Sequence, residues 1–119
     1  GTAVTAVRRL RLANGAPVCH EERFLLNEVT SPLTDRDLES SDVCTLLERS
    51  RGVPIAFGDV IMDMVKAAPR MAAMLDIEPG DTVVRTEQVN FDVNGVAIDF
   101  CIRHAVAEAF RYRTRIGRW

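Results

Sequence analysis

The stretch Arg8-Arg9-Leu10-Arg11-Leu12-Ala13-Asn14-Gly15-Ala16-Pro17, continued by Val18-Cys19-His20-Glu21-Glu22-Arg23-Phe24-Leu25, decides the fold. Asn14-Gly15 supplies the two positive-φ residues of a tight turn. Thr2 to Leu12 and Pro17 to Leu25 then read as two antiparallel strands. Strand side chains alternate, so Arg9 and Arg11 share a face. Paired guanidinium groups bind carboxylate or phosphate bidentately, which gives that face the character of an anion receptor. The plainer alternative is an arginine-rich face that is simply solvated. Register decides whether Glu21 joins the pair. A two-residue loop sets Arg9 opposite His20 and sends Glu21 to the other face. A three-residue loop, or a bulge, sets Arg9 opposite Glu21. Pro17 has no N–H for a ladder and so makes the irregular version credible; both registers stay open on sequence alone.

Downstream, Ser31 to Asp35 is turn-like. Ser40-Ser41-Asp42 precedes Val43, Cys44, Leu46 and Leu47, a short helical pattern with favoured N-cap residues. Arg51-Gly52 and Pro54 end it. Val53 to Lys66 reads two ways, since Ile55 and Phe57 fit a strand whereas Val60, Ile61, Met64 and Val65 also fit a helix; a strand with an irregularity at Gly58 is favoured. Ala67 to Ile77 predicts a helix, with Pro69 in its first turn and Met71, Met74 and Leu75 at helical spacing. Glu78-Pro79-Gly80-Asp81 is a turn.

Thr82–Asp92 and Val96–Val106 form a second hairpin around Asn94-Gly95. A two-residue turn there pairs Phe91 with Ile98, Val89 with Phe100 and Glu87 with Ile102 on one largely apolar face. Asn90 meets Asp99, Gln88 meets Cys101 and Thr86 meets Arg103 on the other, which is expected to be wet. A last strand is expected from Phe110 to Ile116, with Arg111, Arg113 and Arg115 on a solvated face. Hairpins with short helices predict an α+β domain with a mostly antiparallel sheet.

A chain of 119 residues fits a single domain over 1–119. A net charge of −2 argues against this segment being itself a nucleic-acid-binding domain, which carries a basic excess. No apolar run is long enough for a membrane span. Cys19, Cys44 and Cys101 are widely spaced and odd in number, so reduced thiols in a cytoplasmic protein are the simplest reading. The chain opens directly on a strand, and a piece of a longer protein is expected.

Two further groups of residues carry candidate chemistry. Ser40 and Ser41 at a helix start could present free N–H groups to an anion, although plain capping explains them as well. Asp99 and Arg103 share the polar face, as ligand contacts or as a structural ion pair, while His104 falls on the opposite face. His20 and His104 lack metal-ligand spacing, so no metal site is expected, and no nucleophile motif, phosphate loop or other cofactor signature is present.

Several motifs recur in a familiar order. Arg9-x-Arg11, an Asn-Gly turn, Pro17 and Glu21 come first. A serine-capped helix ending in Leu46-Leu47-Glu48 follows. Ala73-Met74-Leu75-Asp76-Ile77-Glu78-Pro79-Gly80-Asp81 leads into a strand, as does Asn94-Gly95-Val96-Ala97-Ile98-Asp99. In this the chain resembles the UTRA domain, the effector-binding half of HutC-type GntR transcriptional regulators. The resemblance implies a chorismate-lyase-like fold, a cytoplasmic bacterial repressor, a homodimer, and a winged helix-turn-helix upstream through which alone DNA is bound. It implies a small anionic metabolite as effector, with Arg9, Arg11, Glu21 and Ser41 lining its site. Asp99 falls at the family's usual acidic position, with Ala97 in place of the usual proline; Arg103 and His104 complete the candidate set. The tyrosine-rich run that normally follows is here His104-Ala105-Val106-Ala107-Glu108-Ala109-Phe110, with His104 as the one substitute for a lost hydroxyl, so sugar phosphate is not assumed. Two rivals remain: a chorismate-cleaving enzyme of the same fold, and a domain that only dimerises.

Overall fold

In a computed structural model, residues 4–26 and 55–111 are described. The expected helix around Ser40–Leu47, together with Ser41 and Cys44, lies outside them. Strands β1 (Val4–Ala13), β2 (Ala16–Leu26), β3 (Ile55–Lys66), β4 (Thr82–Asp92) and β5 (Ala97–Val106) form one sheet, ordered β1-β2-β5-β4-β3. Every neighbouring pair is antiparallel. The expected class is therefore the observed one. No described helix is long and apolar enough to cross a membrane.

The first hairpin contains both a tight turn and a bulge. Asn14 and Gly15 adopt φ of 51° and 81°, and Ala13 pairs with Ala16. Leu12 then pairs with Pro17, but Arg11 pairs with Cys19, so Val18 is the extra residue. That single insertion moves the register by one and sets Arg9 opposite Glu21.

The second hairpin reaches the expected register by a different route. Its loop has three residues, since Gly95 N–H donates to Asp92 O and Asp92 N–H donates to Val96 O, each at 3.0 Å. Phe91 consequently pairs with Ala97 rather than Ile98. Ile98 is then skipped, and Asn90 meets Asp99, Gln88 meets Cys101 and Thr86 meets Arg103 as the sequence predicts. The Asp92 carboxylate accepts from the N–H groups of Asn94 and Val96, which satisfies an acid that is wholly buried.

Of the stretch expected to be a strand, Ile55–Lys66 does form one, but its irregularity lies at Ala56, between Ile55 and Phe57, and not at Gly58. Gly58 has a different role. A Cβ there would stand 2.5 Å from Asn90 Oδ1 and 3.3 Å from the Val89 carbonyl, so the missing side chain lets β3 approach β4. Helix α1 (Pro69–Leu75) is shorter than the expected Ala67–Ile77. Asp76 turns left-handed, and Ile77 N–H donates to Ala72 O, closing the helix as a Schellman-type end. Ala72 and Leu75 pack with Ala67 and Val83 as a small apolar core. Phe110 and Arg111 follow a 3₁₀ turn at Ala107–Ala109 and are not in a strand; the rest of the expected last strand lies outside the described residues.

The largest departure concerns the two faces of the sheet. The face expected to be wet is the more buried one, with Thr86, Asn90, Asp99 and Cys101 all under a tenth exposed. Val89, Phe100 and Ile102 on the supposed core face are only half-buried. Hydropathy alternation located the faces correctly but ranked them wrongly, because oppositely charged groups from β2 and β5 meet there as buried ion pairs.

Candidate functional site

Arg9 and Arg11 of β1, Cys19, Glu21 and Arg23 of β2, Asp99, Cys101 and Arg103 of β5, and Gln88 and Asn90 of β4 all point to one face, because cross-strand partners share a face. Glu21 is their centre and is 1% exposed. Its Oε1 accepts from Arg103 Nε at 3.0 Å and from an Arg23 terminal nitrogen at 3.2 Å. Arg11 stands 3.6 Å from the same oxygen, and Arg9 stands 3.9 Å from Oε2. Arg23 bridges onward to Asp99 Oδ2 at 2.5 Å, and Asn90 donates to that oxygen at 2.7 Å. Gln88 links Arg103 to Asn90.

The electrostatics follow from this arrangement. Burial alone would push the Glu21 carboxyl up, but Arg23 and Arg103 overcome it and hold the group at about 2. For Asp99 burial prevails, and its carboxyl is raised despite Arg23 and Asn90. The Cys101 thiol is pushed up to about 11 by burial, so it stays protonated and donates toward Glu21 Oε1. Four guanidinium groups (Arg9, Arg11, Arg23, Arg103) face two carboxylates, an excess of positive charge. Three buried atoms in the network, Glu21 Oε2, Arg23 Nε and Asp99 Oδ1, have no hydrogen-bond partner among the described residues. Buried polar atoms are normally paired, so such a cluster is suited to receive polar groups from a ligand.

Of the residues singled out from sequence, Arg9, Arg11, Glu21, Asp99 and Arg103 are brought together here. His104 is not. It projects from the opposite face, level with His20 and Arg85, and so does not stand in for a tyrosine in this network. Ser41 lies outside the described residues. Sequence reasoning missed Arg23, which links the Glu21 and Asp99 halves. The signal was present as Glu21-x-Arg23, a period-2 repeat on the Arg9 face. No group of three or more potential metal ligands occurs among the described residues.

The same architecture occurs in solved regulator structures. A GntR-family transcriptional regulator from Enterococcus faecalis is similar with a TM-score of 0.88 and 22% identity, over 95% of this chain and 81% of that one. The effector-binding domain of the Bacillus subtilis trehalose repressor is similar with a TM-score of 0.85 and 17% identity, over 98% of this chain and 80% of that one. A GntR-family regulator from Bacillus cereus matches with a TM-score of 0.81 and 18% identity, over 96% and 79%. At these identities the likeness speaks to the fold. No protein of curated function matches the chain. Residues 1–111 match the UTRA domain family, which spans both hairpins, the helix and the whole arginine–carboxylate network. The chain belongs to the UTRA domain family.

Proposed function

We propose that this domain senses a small anionic metabolite for a GntR-type transcriptional regulator, as part of a cytoplasmic homodimer whose DNA-binding winged helix-turn-helix lies upstream. The observation that carries the reading is the face on which four arginines meet two buried carboxylates, with three buried polar atoms that accept or donate no hydrogen bond among the described residues. Arg9 and Arg11, at the outer side of the network, hold the anionic group of the effector. Glu21, Arg103 and Asp99 accept from or donate to its hydroxyl or amino groups, and Arg23 keeps the two carboxylates in place. Ser41 enters from the family resemblance as a further contact to the anion. The domain is proposed to act by linkage and not as an enzyme. Effector binds one arrangement of the dimer better than another, and that differential affinity shifts the operator affinity of the attached DNA-binding domains.

The test is thermal unfolding against a panel of anionic metabolites, chorismate included. An effector present at a thousand times its dissociation constant adds about 4.1 kcal/mol of stability. The stabilisation is expected to vanish in Arg9→Ala and Arg11→Ala while both variants remain folded. Pyruvate released from chorismate would move the assignment to a lyase. A stable dimer that no panel member stabilises would favour a purely dimerising domain.

A further inference from the structure

We infer a second ligand site on the opposite face of the sheet, between α1 and strands β2 and β5, shaped for a small monocarboxylate with an apolar tail. Two adjoining cavities, of about 330 and 280 Å³, share Arg70, Met71, Met74 and His104 in their walls. Each is near the lower end of the range that holds small ligands. The first cavity is polar at its sheet end, where His20 and His104 are direct cross-strand partners and Arg85 is the next residue in the same row.

The charge inventory of that cavity selects a single negative charge. Arg8 is held by Glu22 at 2.7 Å, and Arg85 by Glu87 at 2.6 Å, so both are already balanced. Arg70 projects from the helix and has no ion-pair partner among the described residues. His20 and His104 add ring N–H donors beside it. Burial, together with Arg85 and His20, pushes the His104 imidazole down, so the ring stays neutral and polarises an anion without adding charge. In the first cavity, one guanidinium without an ion-pair partner beside two ring N–H donors fits a carboxylate better than a phosphate dianion.

The remaining wall sets the tail. Ile102 and the two methionines floor the first cavity, and Val65, Ala67 and Ala68 extend an apolar wall into the second, with the Lys66 side chain also at that wall. Methionine side chains adapt to irregular shapes, so a short alkyl or aryl group is accommodated without strict complementarity. This site shares no residue with the arginine–carboxylate network and does not depend on the function proposed for it.

The probe is hexanoate, followed by NMR through the ring signals of His20 and His104 and the methyl signals of Met71 and Met74. Titration of the whole chain to about 10 mM should give saturating shifts at these four residues, as millimolar affinity suits so small a ligand. Arg70→Ala, an exposed position, should weaken binding about tenfold, the loss of one charge-assisted hydrogen bond. Hexanol, with the tail but no charge, and inorganic phosphate, with charge but no tail, should each shift these signals far less. Unmoved signals, equal binding by Arg70→Ala, or equal shifts with hexanol would overturn the proposal. So would shifts confined to the neighbourhood of Arg9, Glu21 and Arg103, since the acid would then occupy the other face.

Discussion

Strand β2 presents two different surfaces on alternate residues. Glu21, Arg23 and Leu25 are at most 3% exposed, whereas His20, Glu22, Phe24 and Leu26 between them are only half-buried. One face of the sheet is thus a buried ionic lattice, and the other is an open surface of histidines, stacked phenylalanines and exposed ion pairs. Phe24 stacks with Phe100 and Phe57 with Phe91 on this second face, yet it stays the wetter of the two. The contrast teaches that hydropathy alone does not rank the two faces, since buried ion pairs stand beside buried Leu25 on one face while aromatic rings on the other stay half-exposed. It also separates the energetics, because an ion pair removed from water cannot lose one partner cheaply, whereas an exposed pair can.

The comparison breaks most visibly at Arg23. Arg23→Ala leaves Glu21 and Asp99 buried without the group that bridges them, and should cost about 3–5 kcal/mol in urea unfolding. If the loss is under about 1 kcal/mol, the two faces are energetically alike and the contrast fails.

Acid should probe the same face. The folded carboxyl of Glu21 lies at about 2, below its ordinary 4.5. The unfolded chain therefore binds more protons between these values, and stability rises with pH across that window. The contribution is fully present above 4.5 and is lost as pH falls toward 2, with a slope of up to about 1.4 kcal/mol per pH unit for one group. Glu21→Gln should flatten that part of the profile measured by chemical unfolding at successive pH values.

Gly58→Ala tests how tightly β3 is held against the lattice. The new methyl meets Asn90 Oδ1 and the Val89 carbonyl, and should cost about 1–3 kcal/mol by thermal unfolding. Because Asn90 also donates to Asp99, a double-mutant cycle with Asn90→Ala should show coupling, which independent sites would not. The smallest effect belongs to the open face. Arg8 is 64% exposed, and Arg8→Ala, which removes its pair with Glu22, should change stability by less than about 1 kcal/mol, with even that difference shrinking at high salt.

Much of the domain is legible along the chain. Asn14-Gly15 announces a turn because few residues accept positive φ, and the flanking alternation announces strands. Pro69 and the Met71, Met74 and Leu75 spacing announce a helix because both are local rules. Arg9, Arg11, Glu21, Asp99 and Arg103 were readable as candidates because guanidinium and carboxylate groups at period 2 are a chemical pattern. Arg23 is not legible as a candidate because its importance lies in tying neighbouring Glu21 to Asp99, which is 76 residues beyond Arg23.

Local chemistry therefore determines where the strands, turn residues and helix lie, since backbone preference and alternation act over a few residues. Tertiary structure alone decides which face is buried and what meets on it. Val18 had to bulge for Glu21 to face Arg9, and a three-residue loop had to be offset by the bulge at Ile98 for Asp99 to face Asn90. Each irregularity shifts register by one residue: in the first hairpin the shift decides which face Glu21 takes, and in the second two such shifts cancel. The groups that meet after these shifts come from β1, β2, β4 and β5, which no single segment of the chain contains by itself.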